Sequence, residues 1–413
     1  MSARRAGART FAALSVRNFR LYFIGQLISV SGTWMQSVAQ GWLVLQLTGS
    51  SVGLGVAIAL QYVPMLLFGT YGGLIADRHG KRRILYATQG AAGLLALALG
   101  VLVTTGHVTV VTVYILATGL GVVNLFDVPA RQAFVQEMVG RDLIANAVSL
   151  NSVLMNAGRL IGPTIAAAFI AVLGTAACFY ANAASYLAVL LALCLMDGRE
   201  FRPLQTVKRQ KGQMRSGLRY VWATPLLRDV VLAVAVMGTF AFNFTTTLPL
   251  FSRITFHQTT AAHYGVLMGA MGLGAVAGGL FVAHRSRPTA TMLAVLGLGF
   301  GVFMTLVALS PTLLLAEIAL VPTGACSIAF MSTGNAILQT NSAPEMRGRV
   351  MSLYGIAFLG TTPIGAPLIG LIIAWSNPRV GLLVGSLLTI ATGVGLVVAG
   401  RARPAVAASL QQA

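Results

Sequence analysis

Gly73-Leu74-Ile75-Ala76-Asp77-Arg78-His79-Gly80-Lys81-Arg82-Arg83 gathers one acid and four bases between two long apolar runs. A membrane helix needs about 20 mostly apolar residues, because the hydrocarbon core is about 30 Å thick and a helix rises about 1.5 Å per residue. Moving outward from the charged stretch with that ruler gives spans at 21-46, 51-76, 83-104, 109-137, 143-171 and 174-196, then 229-253, 261-284, 288-309, 312-341, 346-375 and 378-400. Gly and Pro inside them are tolerated, since neighbouring helices satisfy the freed backbone groups. The composition agrees: 56% of residues are hydrophobic and 9% charged, where a soluble domain carries about 25% charged residues. The expected fold class is an all-α membrane protein with twelve transmembrane helices in two pseudo-symmetric six-helix bundles.

The 28 Lys and Arg against 9 Asp and Glu would, in a soluble chain, suggest nucleic acid. Here the bases fall between apolar runs and mark a membrane face, so no nucleic-acid partner is expected. Arg17 and Arg20 precede the first span, Arg78 to Arg83 follow the second, Arg141 the fourth, Arg285 and Arg287 the eighth, Arg347 and Arg349 the tenth, and Arg401 and Arg403 the last. The opposite face has Arg253 and Arg379. The positive-inside rule then places both termini in the cytosol. The domain reading is a cytosolic tail over 1-20, a bundle over 21-196, a cytosolic linker over 197-228, a second bundle over 229-400 and a cytosolic tail over 401-413.

In the linker, Met214, Leu218, Val221 and Trp222 share a helical face opposite Arg215 and Arg219. That pattern suits either a helix lying on an anionic leaflet or one capping the bundle. Arg4, Arg5 and Arg9 before an apolar run resemble a signal peptide, yet the run continues through Trp42 without a cleavage pattern and reads as a retained first helix. Cys178, Cys194 and Cys326 lie in apolar segments without metal-ligand spacing and are expected to be small core residues making no disulfide. A constant offset of 203 superposes Gly121 on Gly324, Gln136 on Gln339, Asp142 on Glu345, Ser149 and Leu150 on Ser352 and Leu353, and Gly162 on Gly365. Duplicated halves with a substrate site between them near the midplane are how secondary transporters are built.

The charged stretch resembles the G-x-L-a-D-R-x-G-R-K loop signature of the major facilitator superfamily, with Ile75 in place of Leu and the basic pair as Lys81 and Arg82. Gly73 would allow close helix approach and Gly80 a turn with unusual dihedrals. Asp77 would accept hydrogen bonds at a helix N-terminus, and the bases would reach carboxylates. The resemblance covers nearly the whole chain and implies the major facilitator fold. It also implies a conformational latch of Gly73, Asp77, Arg78, Gly80, Lys81 and Arg82, with Glu137 and the start of span eleven near Arg347 to Met351 as partners.

Gly158-Arg159-Leu-Ile-Gly162-Pro163-Thr-Ile-Ala166-Ala167 is similar to the antiporter motif G-x-x-x-G-P-x-x-G-G, with alanines for the final glycines. Small residues four apart are also the generic packing motif of membrane helices. Asn124-Leu-Phe-Asp127-Val-Pro129-Ala-Arg131-Gln132-Ala133 resembles the subgroup of enterobactin exporters and macrolide efflux proteins. The arginine that many drug-proton antiporters carry earlier in span four is missing; Ile115 and its neighbours are apolar, so coupling is not transferred from them. The resemblance implies proton-coupled export of a drug-like compound, siderophore or other small metabolite by alternating access.

A charge at the bilayer centre costs about 2.5–3.5 kcal/mol on insertion scales, so each one asks for a partner or a role. Asp127, Arg131, Arg159 and Glu317 are therefore the candidates for proton coupling. Asp127 and Arg131 are i,i+4 neighbours, either a structural ion pair beside Pro129 or a coupling pair. Arg159 is expected to meet a carboxylate or an anionic substrate, and Glu317 either couples or reaches the aqueous edge. Gln26, Ser29, Thr33, Gln36 and Gln40 form a polar stripe on the first span. With Trp34, Asn243, Thr246, Thr247 and Asn335 they are expected to line a substrate cavity, the alternative being interhelical hydrogen bonding.

No serine elbow, paired-carboxylate signature, Walker A sequence or His/Glu metal motif is present, and the five histidines fall in loops or at span ends. An enzyme, an ATP-driven pump, a cofactor and a metal are thus not expected. The expected partners are a lipid bilayer, a small-molecule substrate and protons, in a monomer. A proton-coupled importer of a small polar nutrient is the competing function, and a non-transporting scaffold or receptor a weaker one.

Overall fold

A computed structural model describes residues 11–201, 213–284, 288–358 and 360–411, without side chains at 70, 74, 76, 77, 141, 145, 213, 214 and 401–411. Arg4, Arg5, Arg9, Arg285 and Arg287, and the side chains of Asp77, Arg141, Met214, Arg401 and Arg403, lie outside the described residues. The helices are α1 Arg17–Thr48, α2 Ser51–Arg78, α3 Lys81–Thr104, α4 Val110–Val139, α5 Ile144–Leu173, α6 Thr175–Leu195, α7 Gln213–Ala223, α8 Pro225–Phe240, α9 Phe244–Leu250, α10 Ala261–His284, α11 Ala290–Leu309, α12 Leu313–Asn341, α13 Pro344–Phe358, α14 Thr362–Trp375 and α15 Pro378–Gln411. Among the described residues there is no strand.

Among the described residues, eleven segments are long and apolar enough to cross a membrane. The twelfth expected span, α1, has ample length at 32 residues, but its polar stripe makes it too polar to count among those eleven. Leu94, Val111, Val172 and Leu187 stand on helix exteriors, more than 60% exposed, as side chains solvated by hydrocarbon do. Threonines start several helices. Thr109 and Thr112 form a reciprocal capping box on α4, and Thr289 and Thr312 accept from the third amide of α11 and α12, satisfying donors that have no partner within the helix. Gly49 ends α1 at φ 60°, the left-handed conformation that glycine adopts without strain.

Two spans are broken where single helices were expected. The seventh runs as α8, α9 and a π-turn, Phe251–Thr255. At the first interruption Asn243 Nδ2 donates to the Thr239 carbonyl at 2.6 Å, a side chain competing with the backbone ladder. In the eleventh, α13 is described to Phe358 and α14 begins at Thr362, with a turn at Gly360 and Thr361 between them; Pro363 fits the first turn of α14, where its missing amide loses no partner.

The chain divides into two compact units. One holds the described residues of Met1–Gly49, Leu60–Lys208 and Thr260–Gly265, the other those of Ser50–Ala59, Arg209–Thr259 and Val266–Ala413. In the first, α1 packs on α5 and α6, and α3 on α4 and α6, around a buried cluster that includes Phe19, Tyr22, Leu85, Phe134 and Leu193. In the second, α11 packs on α12 and α15, and the Phe242 ring touches those of Phe244, Phe300 and Phe358.

The apolar face expected on α7 is divided. Val221 is buried, whereas Leu218 and Trp222 point outward with Arg215 and Arg219. Arg349 of α13 donates to Ser216 Oγ at 2.8 Å, and the Ala343 amide donates to Tyr220 Oη at 3.1 Å, so α7 is docked on the start of α13. The three cysteines are free, but only Cys178 is a core residue. Cys194 is exposed, and Cys326 is partly buried with its Sγ toward Gly299 of α11.

Candidate functional site

Pro129 has no amide to offer the Leu125 carbonyl four residues earlier, and Gly72 of α2 packs against that same oxygen so closely that a methyl group there would collide with it. Asp127 and Arg131 flank this irregularity. Asp127 is 3% exposed, with Oδ2 3.2 Å from Arg131 Nε. Its Oδ1 accepts from Thr88 Oγ1 at 2.9 Å and from Gln89 Nε2 at 2.7 Å, both on α3. Arg131 Nη1 reaches Gln26 Oε1 on α1 at 3.5 Å. One ion pair thus ties three helices. The far ends of both amides, Gln26 Nε2 and Gln89 Oε1, and the Tyr22 hydroxyl are buried without a hydrogen-bond partner among the described residues. Such groups are rare, and water is their usual complement. Thr88, Gln89 and Tyr22 are absent from the sequence-derived candidates; the only signal was two adjacent polar residues inside an apolar span.

The loop residues separate. Lys81 Nζ lies 3.3 Å from Glu137 Oε1, the pair being mostly buried. Arg82, expected to reach a carboxylate, instead donates to the Leu193 and Met196 carbonyls at the end of α6, with its guanidinium over Tyr86 and Phe201. Arg78 is exposed at the end of α2, and Gly73 is buried. Gly80 does not take unusual dihedrals: at φ −60° and ψ 117° it is extended backbone immediately before α3, a conformation open to any residue.

The cavity candidates divide as well. Gln36 is buried and accepts from Asn182 Nδ2 on α6 at 2.7 Å, while its own amide reaches Gln40 at 3.5 Å. Thr33 donates to the Ser29 carbonyl and lies 3.4 Å from Tyr186 Oη. Asn243, Thr246 and Thr247 are buried, and Thr247 Oγ1 donates to the Asn243 carbonyl at 3.1 Å. Gln26, Gln36, Asn243, Thr246 and Thr247 are thus all buried in this structure. Thr33, Trp34, Gln40 and Asn335 retain accessible surface, with Asn335 Oδ1 accepting from Gln339 at 2.5 Å.

Glu317 is half-buried in the first turns of α12. Arg159 is half-buried in α5, and among the described residues it meets no carboxylate. Its guanidinium carbon lies 4.9 Å from the centroid of Trp34. Gly158, Gly162 and Pro163 sit beside it, with both glycines facing α1. Among the described residues no cluster of His, Cys, Asp and Glu is arranged to hold a metal.

Residues 8–410 match the family model described as transmembrane secretion effector. The chain belongs to that family. The multidrug efflux pump Tap of Mycolicibacterium fortuitum is 28% identical over 85% of this chain and 88% of its own. The enterobactin exporter EntS of Shigella flexneri is 26% identical, covering 92% and 90%. Among solved structures, an inward-facing, unoccupied bacterial homologue of the human lysosomal transporter Spinster aligns with a TM-score of 0.67 at 15% identity, over 94% of this chain and 95% of that one. The fold expected from the loop motif is the one found, in a multi-pass membrane protein whose family is one of transporters.

Proposed function

We propose that this protein is a secondary active exporter of a bacterial inner membrane, working as a monomer with both termini in the cytosol. It moves a drug-like compound, a siderophore or another small metabolite outward in exchange for protons. The family and the efflux and siderophore-export names of the relatives support the direction of transport.

The observation that carries the coupling is the Asp127–Arg131 pair, buried beside unsatisfied polar atoms. A buried carboxylate needs either a cation or a proton, because desolvation penalises the isolated charge. If a conformational change separates Arg131 from Asp127, a proton takes its place. Return of the guanidinium expels that proton, which is the minimum a carrier needs to link a proton to a change of access.

The test is transport by purified protein in liposomes with an imposed pH difference, using labelled drugs and catecholate siderophores as probes. Wild type is expected to build a gradient that a protonophore collapses. Asp127→Asn is expected to lose accumulation while keeping downhill exchange. A full gradient built by Asp127→Asn would make the pair structural, and proton-dependent uptake into right-side-out vesicles would turn the direction to import.

A further inference from the structure

Arg159 and Trp34 form an arrangement that the coupling pair does not use. On α5, Gly158 and Gly162 face α1: a methyl at Gly158 would meet the Ser31 amide nitrogen at 3.3 Å, and one at Gly162 would meet Trp34 Cβ at 2.6 Å. The two glycines thus bring α5 against α1 where Trp34 emerges, which sets the indole under the guanidinium, 4.9 Å from centroid to Cζ. Stacking occupies one face of the guanidinium and none of its in-plane N–H groups. Among the described residues Arg159 makes no ion pair and no hydrogen bond, and both side chains keep accessible surface. Two carboxylates of α4, in the same unit, are already held, Asp127 by Arg131, Thr88 and Gln89 and Glu137 by Lys81.

An unneutralised cation within a membrane span is costly, and a planar donor fork fits an oxyanion in bidentate fashion. We propose that Arg159, stacked on Trp34, is the recognition site for an oxyanion on the transported molecule, which makes the cargo class small molecules bearing a carboxylate or comparable oxygen anion. The word cargo rests on the export reading above; the anion site does not.

The experiment measures thermal unfolding of the full chain in phosphatidylcholine nanodiscs with benzoate, salicylate, neutral benzamide or cationic phenyltrimethylammonium as probes. Benzoate and salicylate are expected to raise the midpoint in a concentration-dependent way, and the amide and the cation are not. Arg159→Gln is expected to weaken the apparent carboxylate affinity about tenfold or more, the loss of charge-assisted hydrogen bonds. Arg159→Lys should retain part of it as a point charge without the fork. Trp34→Leu, which keeps apolar bulk and leaves the arginine in place, should give an intermediate loss and serves if Arg159→Gln does not fold.

Equal protection of wild type and Arg159→Gln, or protection by benzamide equal to that by benzoate, overturns the site. Loss of the benzoate effect when phosphatidylglycerol is added to the discs assigns the arginine to a lipid headgroup and overturns the cargo assignment. Arg159-dependent benzoate binding in a protein that drives no transport sinks the export reading and leaves the site standing. Gradient-driven transport of carboxylates indifferent to Arg159→Gln sinks the site alone.

Discussion

A methyl group on Gly121 would collide with the Gln61 carbonyl, and one on Gly324 with the Met271 carbonyl. These are the two glycines that an offset of 203 residues superposes, and each sits where helices cross at backbone distance, α4 on α2 in one unit and α12 on α10 in the other. Gly121→Ala and Gly324→Ala are each expected to cost about 1–3 kcal/mol through forced backbone shifts, read as lower thermal stability in detergent. Gly80→Ala, where a side chain would meet nothing within 4 Å, should stay within about 0.5 kcal/mol of wild type. The contrast separates what the loop motif disclosed from what it did not. Its spacing identified the family, but the dihedrals of Gly80 follow from α3 starting one residue later. Asp127 and Arg131 were legible because a charge inside an apolar span stands out. Thr88 and Gln89 were not, because uncharged polar residues are ordinary in such spans and only packing aims these two at Asp127.

Two arginines close helix ends. Arg82 binds the last carbonyls of α6, and Arg379 Nη1 donates at 2.6 Å to the Ala308 carbonyl at the end of α11, with Phe251 and Phe256 against its guanidinium. The last carbonyls of a helix lack internal donors and form its negative pole. A base can cap a span end on either face: Arg82 lies on the face that carries most of the bases and Arg379 on the opposite one, so for Arg82 the sequence could not tell sidedness from capping. Arg82→Ala is expected to fray α6, with faster amide exchange over residues 192–197 and a stability loss of about 1–3 kcal/mol. Arg82→Lys should restore only part, since an ammonium lacks the fork. Unchanged exchange in Arg82→Ala would remove the capping role. The broken seventh span escaped the length count for a related reason: Ala241 and Phe242 at the break are as apolar as the helix on either side, and hydropathy does not register a lost hydrogen bond.

At the scale of the molecule, a bilayer leaves few backbone solutions, so among the described residues length and hydropathy together account for eleven of the twelve expected spans, and α1 matches the remaining one by length. Sidedness is a separate matter, decided by charge. His107, between α3 and α4, and Glu200, after α6, are both exposed and are separated by three spans, α4, α5 and α6. An odd number of crossings puts them on opposite faces whatever the orientation. The bases then favour one of the two orientations: Arg78 to Arg83 follow an even-numbered span, as Glu200 does, whereas His107 follows an odd-numbered one, so the proposed orientation predicts Glu200 on the cytosolic side. With Cys178, Cys194 and Cys326 replaced, His107→Cys is expected to react with a membrane-impermeant maleimide in intact cells, and Glu200→Cys only after permeabilisation. Reaction of both in intact cells would break the count of crossings and with it the fold assignment. The reversed pattern would leave the fold intact and overturn the orientation, and the direction of transport would then have to be worked out from the other face.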